Sequence, residues 1–293
     1  MQRLRYRLTA LSSLMIPVHS GDPNMSATAD YIPGINILGV YANLFEFPEK
    51  ERKDKDPRFF GWFVQGKLKF TNAYFSPNKE TCFPVPLSIK KEKDKEDILD
   101  LLYWDEKKET IPQTRSLPSF CHIQGNEITI DRPSVSLHFH HQRNEQTGST
   151  EEGLIFHYQS LDPNQTFEGS IVGEEKELNA FLQLFGNPNP RKIFVGRSKN
   201  SQYGKAEICI LSEKPEEFIS DIPTQQDLSQ ETISLTFLSD TILYNENGFS
   251  TTNIENLQKI LNTKILKSYI HSKNIENYRR VWQLKTPMEV SFK

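Results

Sequence analysis

The chain is short of cysteine, of long apolar runs and of excess charge, and each shortage excludes a class of protein. Its three cysteines, Cys82, Cys121 and Cys209, are odd in number and far apart. They make no CxxC pair and no disulfide framework, which suits a reducing cytoplasm. No stretch approaches the ~20 apolar residues of a membrane span, so no membrane partner is expected. Lysine and arginine total 35 against 38 aspartate and glutamate, a formal net charge of -3. The chain is therefore not a polycation, and any nucleic-acid site must be a local basic patch on a near-neutral body. The opening "MQRLRYRLTALSSLMIPV" has basic residues before an apolar run, loosely like an export signal. Ser12 and Ser13 interrupt that run, and Tyr6, Leu8, Ala10, Ser12 and Leu14 suit a strand, so a strand is expected there.

What is present is enough for a real core. Apolar residues make up 36% and charged residues 25% of 293 positions, which suggests one large domain or two smaller ones. Arg3 to Ile16 reads as a strand, followed by the loop "HSGDPNMSATADYIPG". Ile37, Leu38, Tyr41, Leu44 and Phe45 lie at helical spacing, so a helix is expected over 35–45, stopped by Pro48. "PEKERKDKDPR" reads as a solvated loop and "GWFVQGKLKFTNAYF" as a second strand. Residues 76–150, with scattered prolines and the cluster "KKEKDKED", read as an insertion with little regular structure. Short strands or a helix near Ile98 to Trp104 are expected within it.

Regularity returns at Gly153. "LIFHYQSL" and "TFEGSIVG" are strand-like, and Leu178, Phe181, Leu182 and Phe185 mark a helix with Gly186 as its cap. "KIFV" and "KAEICI" complete the segment. Without the insertion the order is strand, helix, strand, twice over, which is the split βαβ order of a ferredoxin-like domain. After residue 212 "TISLTFLSDTILY", a helix capped by Thr252 or Asn253, and "MEVSFK" begin the pattern again. The expected fold class is α+β: tandem ferredoxin-like (RRM-like) domains with a long irregular insertion. The first domain spans 1–211 with its insertion at about 76–150. The second, 212–293, is expected to be incomplete, with the remainder lacking or supplied by another chain.

Three stretches carry candidate chemistry. "VGRSKNSQYGKAEI" bends between the second helix and the last strand, where its backbone can reach the sheet's open face. Arg191, Lys192, Arg197, Lys199 and Lys205 give it a positive field. Gly196 and Gly204 allow positive φ or close backbone approach, Ser198, Asn200, Ser201 and Gln202 offer hydrogen bonds, and Tyr203 offers a stacking ring. That mixture suits phosphate contacts, and equally a hairpin whose charges face water. In "SGDPNMSATADYIPG" a helix opening at Gly34 directs N–H groups toward an anion. Asp22 there serves a turn or a divalent metal, the turn being the simpler role, and Asp30 reads as a pre-helix turn residue. In "HFHHQR" His138 and His140 share one face of a strand and His141 takes the other. With Cys121 and His122 they lack a convergent metal-ligand set, so no metal is expected. A polar strand edge, or an RNA contact by Arg143, is the favoured reading over acid–base chemistry by the imidazoles.

Together these stretches resemble the RAMP superfamily of CRISPR-associated proteins, and more narrowly the large RAMP subunit of type III-D effector complexes. The resemblance is carried by "SSLMIPVHSGDPNMSATADYIPG", "GKLKFTNAYF", "RNEQTGSTEEGLIF", "TFEGSIVG", "VGRSKNSQYGKAEI" and "LSDTILYNENGF" in that order. It departs from the family at Ile35 and Leu38, where relatives carry a serine and a basic residue, and at Gln202, where relatives often carry glycine. The resemblance implies an RNA-binding structural subunit of a cytoplasmic type III CRISPR ribonucleoprotein. Such a subunit holds the 5′ end of the CRISPR RNA, contacts neighbouring subunits, and meets target RNA through the guide. It implies no enzyme activity and no cofactor, with an endoribonuclease of the same superfamily as the alternative. By transfer, Gly21, Asp22, Asn24, Tyr31 and Gly34 face the guide RNA. So do Gly196, Arg197, Ser198, Lys199, Tyr203, Gly204 and Lys205. A scaffold that binds only other subunits is a third possibility.

Overall fold

Alternation along the first strand sets up the architecture. Leu4, Tyr6, Leu8 and Ala10 are fully buried on one face, while Arg5, Arg7 and Thr9 take the other. This is seen in a computed structural model that describes residues 1–18, 25–46, 56–95, 97–104, 110–117, 120–124, 127–143, 150–199, 202–218, 233–238, 243–251, 254–269 and 289–292. The chain is a mixed α+β protein with four α-helices and several sheets among those residues. It divides into two compact units, Met1–Cys82 with Arg132–Ile219, and Phe83–Asp131 with Ser220–Lys293.

In chain order the first unit contains β1 (Gln2–Ala10), β2 (Pro17–Val18), β3 (Met25–Thr28), α1 (Gly34–Leu44), α2 (Pro57–Phe63), β4 (Leu68–Phe70), β5 (Tyr74–Phe75), β6 (Val135–Arg143), β7 (Thr150–Leu161), β8 (Thr166–Gly173), α3 (Glu175–Phe185), β9 (Arg191–Phe194), β10 (Lys205–Ile210) and β11 (Glu216–Glu217). The main sheet runs β9-β10-β1-β8-β4, every neighbour antiparallel. β1 leads by way of α1 to β4, two strands away, and β8 leads by way of α3 back past β1. A second sheet runs β6-β7-β3-β2, with β6 and β7 forming a long hairpin.

The helices bury aromatic rings against the main sheet's apolar face. Tyr41 of α1 meets Phe181 and Phe185 of α3 edge-on at 4.8 and 5.0 Å. Trp62 of α2 closes the cluster at 5.9 Å from Phe181. Fully burying one such side chain contributes roughly 1.5–3 kcal/mol. The helix α2 lies where a loop running into a strand was expected. Its start was visible as Asp-Pro: Asp56 accepts the Arg58 N–H at 2.8 Å, and Pro57 occupies the first turn, where its missing N–H costs nothing.

Trp62 also fixes an ion pair. Its indole N–H donates to Glu177 at 2.6 Å, and Lys67 stands 3.4 Å from the same carboxylate. That hydrogen bond, with the lysine's help and against some desolvation, holds the carboxyl below its ordinary value near 4.5. A depressed carboxyl stabilises the fold above that ordinary value, and the contribution disappears as pH falls through the lower folded value. Glu177→Gln is therefore expected to flatten the acid limb of stability measured by denaturant midpoint from pH 6 down to about 3. A variant whose acid limb matches the unmodified chain would contradict this.

The segment between residues 76 and 150 is more regular than its composition suggests. Phe83–Pro84, Phe120–Gln124 and Glu127–Asp131 form one small sheet, and Ile89–Glu92, Ile98–Asp100 and Thr114–Ser116 another. Of the strand and helix alternatives near Ile98, the strand is found: Ile98 opens Ile98–Asp100 and pairs with Lys91. Residues 83–131 group with the C-terminal part, where Lys267 Nζ donates to the carbonyls of Leu101 and Trp104 at 3.3 and 2.6 Å. There α4 (Ile254–Leu261) buries Leu257 against Leu243 and Ile265. The strands Ile233–Thr236, Glu289–Phe292 and Ile265–Tyr269 lie side by side in that order. First, third, second is also the order of β1, β8 and β4. The strand at Ile265 is an element that sequence patterning did not anticipate.

Candidate nucleic-acid interface

The bend between β9 and β10 is tied down at both ends. Val195 donates to Gly204 O at 2.9 Å, closing the base of the loop. Segment 11–16 then runs alongside. Arg197 N–H donates to Met15 O and Gly204 N–H to Ser13 O, both at 2.9 Å. Leu11 and Ser12 donate to Lys205 O at 2.9 and 3.1 Å, and Lys205 N–H returns to Ser12 Oγ at 3.0 Å.

These bonds explain the glycines. Gly196 and Gly204 have φ of +86° and +87°, which L side chains rarely adopt. A Cβ at Gly196 would stand 2.3 Å from Met15 O. The backbone that approaches Gly196 is the protein's own, so the glycine builds the loop.

The loop's side chains divide sharply. Arg197, Ser198, Lys199 and Lys205 are exposed. Among the described residues no ion pair holds Arg197, Lys199 or Lys205. The arginines of β1 differ: Arg5 and Arg7 both bind the buried Glu168 carboxylate, with Thr81 Oγ1 at 2.8 Å, and Arg3 pairs with Glu216 at 3.1 Å. The loop thus supplies cationic groups that the fold leaves for solvent or a ligand.

Tyr203 is not a surface ring. It is 2% exposed, and its hydroxyl is hydrogen-bonded to His140 Nε2 at 2.9 Å. His138 meets the tyrosine ring edge-on at 5.5 Å, and its own Nε2 lies 2.8 Å from Ser160 Oγ. His138 and His140 do share a face of β6, and that face is turned to the loop. The ring that the sequence offers for stacking, Tyr203, is thus withdrawn from solvent. The exposed aromatic is Phe194, 50% exposed and directly opposite Lys205 across the β9–β10 ladder. Alternation in "KIFV" carries the signal: Ile193 and Val195 are both buried, so Phe194 faces outward.

Of the other expected contacts, Tyr31 and Gly34 are packed within the fold. Tyr31 is half-buried and packs on Tyr74 at 5.7 Å. Gly34 is buried, its N–H held by Asn72 Oδ1 at 3.0 Å. Gly21, Asp22 and Asn24 lie outside the described residues, in the connection from β2 to β3. β3 itself pairs with β7 at His157 and Tyr158, beside His140. Arg143 ends β6 opposite Thr150, with its side chain outside the described part. Among the described residues no group of three or more His, Cys, Asp or Glu stands together as a metal site. No described helix is long and apolar enough to cross a membrane.

Fold and site together define an α+β protein that presents a tethered cationic loop at one edge of an antiparallel sheet. No protein-family model and no curated protein matches the chain. Among solved structures it is similar to a chain of the type III-B Cmr-beta complex bound to cognate target RNA and AMPPnP, at 11% identity and a TM-score of 0.45, over 98% of this chain and 83% of that one. A chain of the apo Cmr-beta complex matches at 12% identity and a TM-score of 0.43, over 72% of this chain and 98% of that one. Cmr4 from Pyrococcus furiosus matches at 10% identity and a TM-score of 0.35, over 71% and 98% respectively.

Proposed function

We propose that this chain is an RNA-binding structural subunit of a cytoplasmic type III CRISPR interference complex, resembling the large RAMP subunit of type III-D systems. Its units are read as tandem ferredoxin-like domains, a reading supported by the strand order in each. It holds the 5′ end of the CRISPR RNA, contacts neighbouring subunits and meets target RNA through the guide. The observation that carries this proposal is the exposed set Arg197, Ser198, Lys199 and Lys205 on a backbone already ordered by the protein. A preformed cationic edge binds a phosphate chain without the cost of ordering a free loop. The sequence stretches that resemble the RAMP superfamily supply the type of complex.

Sequencing the RNA that copurifies tests this directly. A guide with a repeat-derived 5′ end is expected. Cleavage of guide precursor by the purified chain, with or without Mg²⁺, would replace the structural reading by the ribonuclease one. Association with partner subunits after nuclease treatment, with no ultraviolet crosslink to RNA, would replace it by a protein scaffold.

Phe194 is proposed as the stacking ring at this edge, beside Lys205. Base–aromatic stacking is worth ~1–3 kcal/mol, so Phe194→Ala is expected to weaken single-stranded RNA binding at least about fivefold. The salt dependence should stay unchanged, because no charge is lost. Filter binding at several salt concentrations reads both quantities, and an unchanged Kd would remove Phe194 from the interface.

A further inference from the structure

We infer that the His140–Tyr203 hydrogen bond is a clasp that makes strands β6 and β7 and the described loop residues, 195–199 and 202–204, one RNA-binding surface, with both residues acting as positioning groups. The inference deepens the RNA-binding reading above and rests on it.

Tyr203 sits at the end of the loop next to Gly204, and its ring is withdrawn from solvent. A buried phenol needs a hydrogen-bond partner. The partner comes from the second sheet, 63 residues earlier in the chain, and not from the loop's own hairpin. His138 packs against the same ring and is held through Ser160, which is fully buried. His140 is braced by Tyr158 of β7 at 4.7 Å. Both strands of the β6–β7 hairpin therefore contribute to the seat of one loop tyrosine.

The geometry transmits that seat to the cations. Gly204 would place a Cβ 3.1 Å from Lys199 Cβ, so the far end of the loop rests on the residue beside Tyr203. At the near end, Arg197 is held by Met15 O. Fixing Tyr203 thus fixes the span from Arg197 to Lys199, and it locks the loop against the strand that leads to Arg143. Neither His140 nor Tyr203 needs to reach RNA for this to affect binding.

The test is a comparison of single-stranded RNA affinity and loop amide exchange in the full chain. Tyr203→Phe keeps the ring and removes the hydroxyl. It is expected to weaken binding about fivefold while leaving the salt slope as it was, since no phosphate contact is deleted. His140→Leu should do the same, and the double variant should be no weaker than either single one. His140→Gln, whose amide reaches the same hydroxyl, should bind within about twofold of the unmodified chain. Exchange at the Arg197 and Gly204 amides should quicken in Tyr203→Phe, with β1 and β8 unchanged. Unmodified affinity in Tyr203→Phe, or single effects that multiply, would overturn the clasp alone. Faster exchange throughout β1 and β8 would make Tyr203 a general stabilising residue and overturn it too. If the unmodified chain binds no RNA, the RNA-binding reading itself fails and the clasp falls with it.

Discussion

Gly34→Ala is expected to lower the melting temperature by roughly 6–12 °C, from a loss of about 3 kcal/mol. A Cβ there would lie 2.0 Å from Phe70 O and 2.8 Å from Phe70 C, both backbone atoms of β4. No rotamer relieves such a contact, so the start of α1 must move off the sheet. Moving it also breaks the Asn72 bond to the Gly34 N–H, the cap that the helix draws from the β4–β5 connection. Pro33 supplies no side-chain cap of its own. A control inside the same helix has the opposite sign. Gly39 is exposed, with nothing within 4 Å of its Cβ position, so Gly39→Ala should stabilise by about 0.5–1 kcal/mol. Calorimetry on the pair separates close packing from helix propensity. Equal melting temperatures in the two variants would refute the role given to Gly34.

The second large effect concerns the cationic edge. Replacing Arg197 and Lys199 together by alanine should reduce the slope of log K against log salt by about 1.4, at roughly 0.7 for each single-strand phosphate contact. If the electrostatic contribution vanishes near 1 M salt, affinity falls about 70-fold at 50 mM and about tenfold at 200 mM. Both side chains are exposed and unpaired among the described residues, so stability should change by less than about 0.5 kcal/mol. Arg197→Lys should keep the slope, because it keeps the charge. An unchanged slope in the double alanine variant would reject the loop as a phosphate site.

Much of the first unit was legible in the chain. Alternation in β1 and helical spacing in α3 are local properties, and the structure follows them, although the first strand ends at Ala10 and not at Ile16. The same holds for the hairpin of β9 and β10, whose two apolar runs flank a polar bend. Failures came where the deciding partner is remote. The helix at Pro57–Phe63 is short, and its aromatic residues read as a strand until Trp62 is seen buried against Phe181 and bonded to Glu177. The segment around residues 83–131 looked irregular because its strands are two to five residues long, below the length at which periodicity is informative.

The candidate site divides the same way. The sequence by itself determined where the basic bend lies, which residues in it carry charge, and that two glycines punctuate it. The alternation that turns Phe194 opposite to Ile193 and Val195 is also written in the sequence, but its exposure was read only from the structure. Only the tertiary structure decided what the glycines accommodate, because Met15 O is 181 positions from Gly196 in the chain and 2.3 Å from its would-be Cβ. Only the tertiary structure withdrew Tyr203 from the surface, because its burial depends on histidines of another sheet. Charge and periodicity are written residue by residue, whereas exposure is a property of whatever the rest of the chain brings alongside.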